Sequence, residues 1–375
     1  MHRFGITALG LSMLSAPVLS AGLERAAPST RVLFEEGTYL EFSMAYVSPD
    51  LTGSGGVAPG PLALSGESND LLDDYTQLGA AFKTDVNDKL SFALVLDQPI
   101  GADTNYGDAT AGLPDVTAVY HGTEANLVSY QLSGQLMYEV APGFSVHGGL
   151  RVQRIKADAK VPFVGNYSIE TETSYGYGYM AGAAYQIPEI ALRVALTYYS
   201  GIEHDIDATE DSALTGGVDT DSSFSIEIPQ SVSLEFQTGI AADTLLFGSV
   251  RWVNWEEFDI TPNFYPIAPG PAPGPLVNYT SDWTTYTLGV GRRLTDSLSA
   301  SVSFTLEPAS DSVMPSLGPV DGRKGIALGL KYKMDNMTLS GGLSYTKLGD
   351  ANNALTTSFD GGNAWAAGMR IGFHL

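Results

Sequence analysis

Cysteine is absent from the 375 residues, which excludes disulfides, thiolate metal sites and cysteine nucleophiles. Basic residues are scarce: 19 Lys and Arg stand against 42 Asp and Glu, a net charge of −23. No run of Lys and Arg occurs, so the chain offers no patch to phosphate backbones, and nucleic acid is excluded as a partner. Beyond residue 20 no apolar run approaches the ~18 residues that a transmembrane helix needs. The five histidines are His2, His121, His147, His204 and His374. No two have zinc-site spacing, and no metal is expected. Glu203-His204-Asp205 reads as a solvated strand edge, with a metal site as its alternative. Nucleophile-elbow, metalloprotease and phosphate-loop motifs are missing. Gly176-Tyr-Gly178 opens like a dinucleotide fingerprint, but it sits within a Tyr175, Tyr177, Tyr179 alternation and not before a helix, so no cofactor is expected. These absences point away from an enzyme.

What is present is alternation. Leu40, Phe42, Met44 and Tyr46 are separated by Glu41, Ser43 and Ala45. Val128, Tyr130, Leu132, Leu136 and Tyr138 are separated by Ser129, Gln131, Ser133 and Gln135, and 298–306 and 326–333 repeat the pattern. A period of two with one apolar and one polar face is the signature of a strand between lipid and an aqueous lumen. About fourteen such segments occur, near 37–48, 72–85, 89–101, 126–139, 143–157, 172–187, 189–207, 223–238, 243–259, 281–293, 296–307, 322–333, 336–349 and 360–375, and an even number suits a closed barrel. Short turns such as 85–88, 141–143 and 335–336 alternate with longer loops such as 49–71, 102–125 and 260–280, so one rim is tight and the other looped. The fold expected is all-β: a transmembrane antiparallel β-barrel of about 14 strands over 37–375.

Residues 1–20 have the short charged start and apolar core of a secretory signal, with Ala21 as the mature start. Ala21–Glu36 carries Pro28 and no strand period. It forms either an N-terminal hatch inside the lumen or a periplasmic tail. Parity places Arg151, Arg193, Arg251, Lys331 and Arg370 on the inward face with Glu227 and Glu235, since a charge facing lipid at mid-bilayer costs about 2–4 kcal/mol. These charges either form an ion-pair lattice or offer Arg to a carboxylate. Asp103, Asp108, Asp115, Glu203, Asp205, Asp207, Glu210, Asp211, Asp219 and Asp221 make the looped rim acidic, a solvated face or one bridged by divalent cations to lipopolysaccharide. Pro266–Pro275 reads as a mobile loop. The third segment, Lys89–Gly101, breaks at Asp97, Gln98, Pro99 and Gly101. Pro99 lacks a ladder N–H, and Gly101 permits a bend.

The ordered set of segments resembles the FadL/TodX (OMPP1) family of outer-membrane transporters for long-chain fatty acids and aromatic hydrocarbons. The resemblance runs through Ala21-Gly22-Leu23, Pro28–Phe34, Phe42–Gly53, Pro99-Ile-Gly101 to Tyr106, Trp255-Glu-Glu-Phe258 and Asn363-Ala-Trp365. It implies a fourteen-stranded barrel with an N-terminal hatch that includes Pro28 and Phe34. It also implies a lateral gate at Asp97, Pro99 and Gly101, and no cofactor. Ala27 and Ser29 flank Pro28 where the family has Asn and Ala, and the hatch is short. The family's head-group residue on the fifth strand matches Arg154 or Lys156. Both share parity with Phe144, Val146, Leu150 and Val152, so a bulge turns them inward, or they lie beyond the bilayer, or another residue fills the role. Arg151 and Arg251 are the inward candidates.

The expected function is passive uptake of hydrophobic or amphiphilic small molecules across the outer membrane of a Gram-negative bacterium, by a monomer set among lipid and lipopolysaccharide. The alternatives are a general porin for polar solutes, a structural or adhesion barrel, and an outer-membrane lipase.

Overall fold

A computed structural model describes residues 22–54, 68, 70–107, 120–213, 215–265, 274–355 and 357–375. The proposed signal, Asp108, Asp115 and residues 266–273 of the expected mobile loop lie outside the described residues.

Fourteen antiparallel strands form a closed barrel. They are β1 (Tyr39–Ser54), β2 (Tyr75–Asn87), β3 (Leu90–Asp97, resuming at Gly101–Asn105), β4 (Glu124–Ala141), β5 (Phe144–Val161), β6 (Ser174–Ile187) and β7 (Leu192–Tyr199, resuming at Ile202–Asp211). There follow β8 (Thr220–Ile228, resuming at Ser231–Ala241), β9 (Thr244–Val253), β10 (Trp283–Arg293), β11 (Leu298–Glu307), β12 (Arg323–Met334), β13 (Met337–Leu348) and β14 (Ser358–His374). β1 pairs with β14 from Tyr39↔His374 to Ser54↔Ser358, so the sheet has no free edge.

Side chains sort by parity as the alternation requires. On β4 the outward residues run Tyr130, Leu132, Leu136, Tyr138, and on β14 they run Trp365, Met369, Ile371, Phe373. Each belt spans nine residues, about 27 Å along the strand and about 20 Å along the normal at a tilt near 40°. Aromatic rings mark both ends. Inward positions are polar or small: Ser129, Gln131, Ser133 and Gln135 on β4 are all buried.

Among the described residues β3, between Asp97 and Gly101, and the facing bends of β7 and β8 change this phase. On β7 the inward residues pass from Tyr199 to Ile202, and on β8 from Ser231 to Ile228, so each strand gains one residue. The gains face each other, and the ladder continues from Tyr199↔Ser231 to Ile202↔Ile228. Above the bend Glu227 therefore faces out, which corrects its inward assignment. His204 faces in and is fully buried against Gln153 (3.0 Å), which corrects the solvated-edge reading. The ninth segment also ends earlier than expected. After Val253 the chain leaves the wall and turns Trp255 and Phe258 into the lumen, where they pack on Tyr279 and Trp283.

Gly22–Glu36 lies inside the barrel. Its lower part is a turn over Arg31–Phe34, whose Val32 and Leu33 pack on Tyr39, Ala81 and Ala93. Arg31 bonds Glu41 through both carboxylate oxygens (2.5 and 2.6 Å) and Glu35 at 3.0 Å, and Arg370 meets Glu41 at 3.2 Å. Tyr199 donates to the Pro28 carbonyl at 3.2 Å, Gln135 donates to the Ser29 carbonyl at 3.3 Å, and Arg193 lies 4.6 Å over the Phe34 ring. The hatch is thus fastened to several staves.

Candidate transport pathway

Under the looped rim lies an apolar pocket of about 60 Å³. Ala125 and Leu127 of β4, Ile155 of β5, Ile206 of β7 and Ile226 of β8 form its walls, and Leu23 of the hatch closes one side. Its polar lining is limited to Asn126, Asp158 and Thr171. The loop after β9 contributes Ile260, Leu276 and Val277 as cover. Glu210, fully buried, holds that loop through the backbone N–H groups of Asn263 (3.1 Å) and Phe264 (3.0 Å), and Tyr167 donates to it at 2.9 Å. Glu210 is therefore a structural acceptor and no part of a solvated rim.

Below Leu23 the chemistry turns ionic. Glu24 receives a two-pronged bond from Arg251 (3.1 and 2.6 Å), and Arg25 bonds Asp103 at 2.5 Å. Both pairs are largely shielded from water. Each charge meets its opposite, as buried charges must. Asp103 is thereby also withdrawn from the expected acidic rim, and Asn126 bonds its second oxygen.

The lower lumen holds a second cavity of about 410 Å³, lined by the hatch from Glu24 to Val32 and by the inner faces of β1, β2, β8 and β9. Its lining also includes Leu78 and Leu96, two outward residues on β2 and β3. Beside them the wall is interrupted. The β2–β3 ladder ends at Ala80↔Leu96 and resumes at the Leu72↔Thr104 bridge, eight positions on along each strand. Within that interval β3 turns toward the hatch. The Pro99 carbonyl accepts from the N–H groups of Arg25 (2.8 Å) and Ala26 (3.3 Å), and the Gly101 N–H donates to the Leu23 carbonyl (2.9 Å). Gln98 spans part of the opening, its side-chain oxygen accepting from the Leu78 N–H at 2.7 Å.

The sequence candidates distribute as follows. Asp97, Pro99 and Gly101 border the interruption. Gly101 does not take a left-handed conformation. Its missing side chain leaves room for the Arg25 guanidinium, 2.6 Å from where a Cβ would stand. Arg151 faces the lumen and bonds Gln131 (2.9 Å) and the Ser200 carbonyl (3.0 Å), while Gln131 reaches Asp97 at 3.4 Å. Arg251 is held by Glu24. Arg154 and Lys156 point outward: the β5–β6 register runs unbroken from Phe144 to Ile155, with no bulge to reverse them. They stand beyond Val152, above the apolar belt, and their expected meeting with a lumenal head group is corrected. Glu24 and Arg25 were not singled out in the sequence, Gln98 was named only within the break of the third segment, and Asp103 only within the acidic rim. The available signal was two adjacent charges, Glu24 and Arg25, in a segment bound for an enclosed lumen, where each needs a partner.

A closed antiparallel barrel with a segment inside its lumen and an apolar pocket under its rim has the architecture of an outer-membrane channel. The model of the family described as outer membrane protein transport protein (OMPP1/FadL/TodX) matches residues 26–364, and the chain belongs to that family. Its fold is shared with a FadL homologue of Pseudomonas aeruginosa, at 14% identity, 92% of each chain and a TM-score of 0.74. The toluene transporter TodX of Pseudomonas putida aligns at 11% identity over 95% of this chain and 97% of its own, with a TM-score of 0.64. The Ralstonia pickettii toluene transporter TbuX aligns at 11% identity over 96% and 100%, with a TM-score of 0.60. No curated protein matches. The chain is thus a FadL/TodX-type channel for hydrophobic substrates in the outer membrane, and not an enzyme.

Proposed function

We propose that a hydrophobic molecule enters the apolar pocket, displaces the upper hatch, passes to the lower cavity and leaves sideways between β2 and β3 into the membrane. The lost β2–β3 ladder carries this reading, since it leaves the wall beside the lower cavity without backbone pairing from Ala80↔Leu96 to Leu72↔Thr104. A lateral exit spares an apolar solute a passage through water. Neutral hydrocarbons, such as the toluene named for two relatives, suit the upper pocket better than fatty-acid anions. No basic residue lines it to pair with a carboxylate, and Asp158, the one charged residue against it, is exposed with the outward parity of Arg154 and Lys156. Arg151 and Arg251 are assigned to holding Gln131 and the hatch. The channel works as a monomer among lipid and lipopolysaccharide, without a cofactor.

The test is growth of a deletion strain, with and without the gene restored, on oleate and on an aromatic hydrocarbon. Gene-dependent growth on the hydrocarbon is expected, and growth independent of the gene on both rejects the uptake reading. Pro99→Val supplies β3 with an N–H that can pair across the opening. It should leave folding intact and slow uptake severalfold; unchanged uptake moves the exit elsewhere.

A further inference from the structure

Arg25 touches three separate parts of the molecule. Its backbone N–H bonds the Pro99 carbonyl in the bend of β3. Its guanidinium bonds Asp103, on β3 above the bend, at 2.5 Å. The same guanidinium lies 4.0 Å over the ring of Tyr75, on β2 across the opening. One hatch residue thus bridges both strands that border the interrupted wall, at a height where they share no backbone ladder. The contacts occupy space left by Gly101. The other ties across the interval differ in kind: Asp73 N–H to the Asp103 carbonyl (3.2 Å), Gln98 to Leu78, and the Gln77 side-chain N–H to the Gln98 carbonyl (3.2 Å) join the strands without the hatch.

We propose that Arg25 is the latch of the lateral opening, a positioning residue that couples the place of the upper hatch to the separation of β2 and β3. This rests on the reading of the opening as the exit. With Arg25 engaged, Tyr75 and Asp103 are drawn to one cation and the strands stay close. When Leu23 is displaced by an occupant of the apolar pocket, Arg25 two residues on is pulled from both partners and the strands are released. A hydrocarbon has no charge with which to open a gate, and Arg25 supplies the charge from the protein instead. The planar guanidinium matters, since it can accept the Tyr75 face and bind the Asp103 carboxylate together.

The chain lacks cysteine, so Thr76→Cys on β2 and Asn105→Cys on β3 can carry spin labels, both on outward, exposed positions. In the full-length barrel in liposomes the parent pair should give one narrow distance distribution. Arg25→Leu should broaden it and shift it outward, with the wide population rising about tenfold, the scale of one lost cation–π contact plus one ion pair. Arg25→Lys should restore the short distance in part. Asp103→Asn, which removes one attachment only, serves if Arg25→Leu does not assemble, and should give an intermediate shift. A distribution that stays parental in folded Arg25→Leu or Asp103→Asn overturns the latch. Because the readout is a distance without substrate, it is separable from failure of the uptake reading, which the growth assay reports.

Discussion

Two bends of the barrel wall part different neighbours. At Ser200–Gly201 and Pro229–Gln230, β7 and β8 each take an extra residue at the same height, so their mutual register above and below is the same, while on its other side β7 leaves its ladder with β6 at Tyr199↔Met180 and is paired again only from Ala208↔Thr171. At Gln98–Ile100, β3 takes an extra residue that β4 does not: Asp97 pairs with Gln131 and Gly101 with Val128. β3 stays with β4 through this bulge and parts from β2. The lesson is that a bulge need not breach a sheet. The matched pair of bulges keeps β7 laddered to β8, with β6 held close through Gly176, whereas the unmatched bulge turns β3 toward donors and acceptors nearby, here the hatch. Proline stands at both bends, Pro99 and Pro229, so a missing N–H does not itself decide the outcome.

The β7–β8 bend also depends on a close neighbour. At Gly176 on β6 a Cβ would stand 2.6 Å from the Glu203 carbonyl and as near to Ile202. Gly176→Val should force β6 from β7 at a cost of about 3 kcal/mol; loss of the heat-resistant folded band on electrophoresis would register it, and a stable barrel would show that the close approach is dispensable. Glu24→Gln weakens the tie between hatch and wall at Arg251 by about 2 kcal/mol. Its expected result is faster proteolysis near Glu24 in the otherwise intact barrel. Gln98→Ala leaves the Leu78 N–H without its partner, worth about 1–2 kcal/mol. Hydrogen exchange at Leu78 should quicken and uptake should rise. Gln230→Ala at the β7–β8 bend, which removes the acceptor of Tyr198, should leave uptake unchanged, so equal effects from the two glutamines would erase the distinction between the bends. Smallest of all, Arg154→Ala combined with Lys156→Ala should alter stability by less than about 0.5 kcal/mol and leave transport rates as they were, because both side chains stand outside the wall.

The staves were legible in the sequence because a strand between lipid and lumen writes its two faces into alternate residues. Belts such as Tyr130–Tyr138 and the tight turns at 85–88, 141–143 and 335–336 follow from local chemistry alone. Arg154 and Lys156 show the strength of parity: the alternation placed them outside, and the fold agrees. Parity failed where one residue was inserted. Glu227 and His204 lie beyond the bends of β8 and β7, and nothing local in Ser200-Gly201 or Pro229-Gln230 announces a change of phase. The hatch contacts were illegible for another reason. Arg25 and Asp103, or Glu24 and Arg251, are far apart in the chain, and their pairing depends on how a segment without periodicity threads a closed lumen.

The cluster at the foot of the hatch bears on how the protein is made. Arg31 leaves the ribosome early, and its acceptor Glu41 belongs to the first strand. Arg370, the other cation on Glu41, belongs to the last. Until β14 zips onto β1, Arg370 cannot reach Glu41 and the cradle for Arg31 and Val32 is incomplete. The cradle of this segment is therefore complete only in a barrel whose seam has closed.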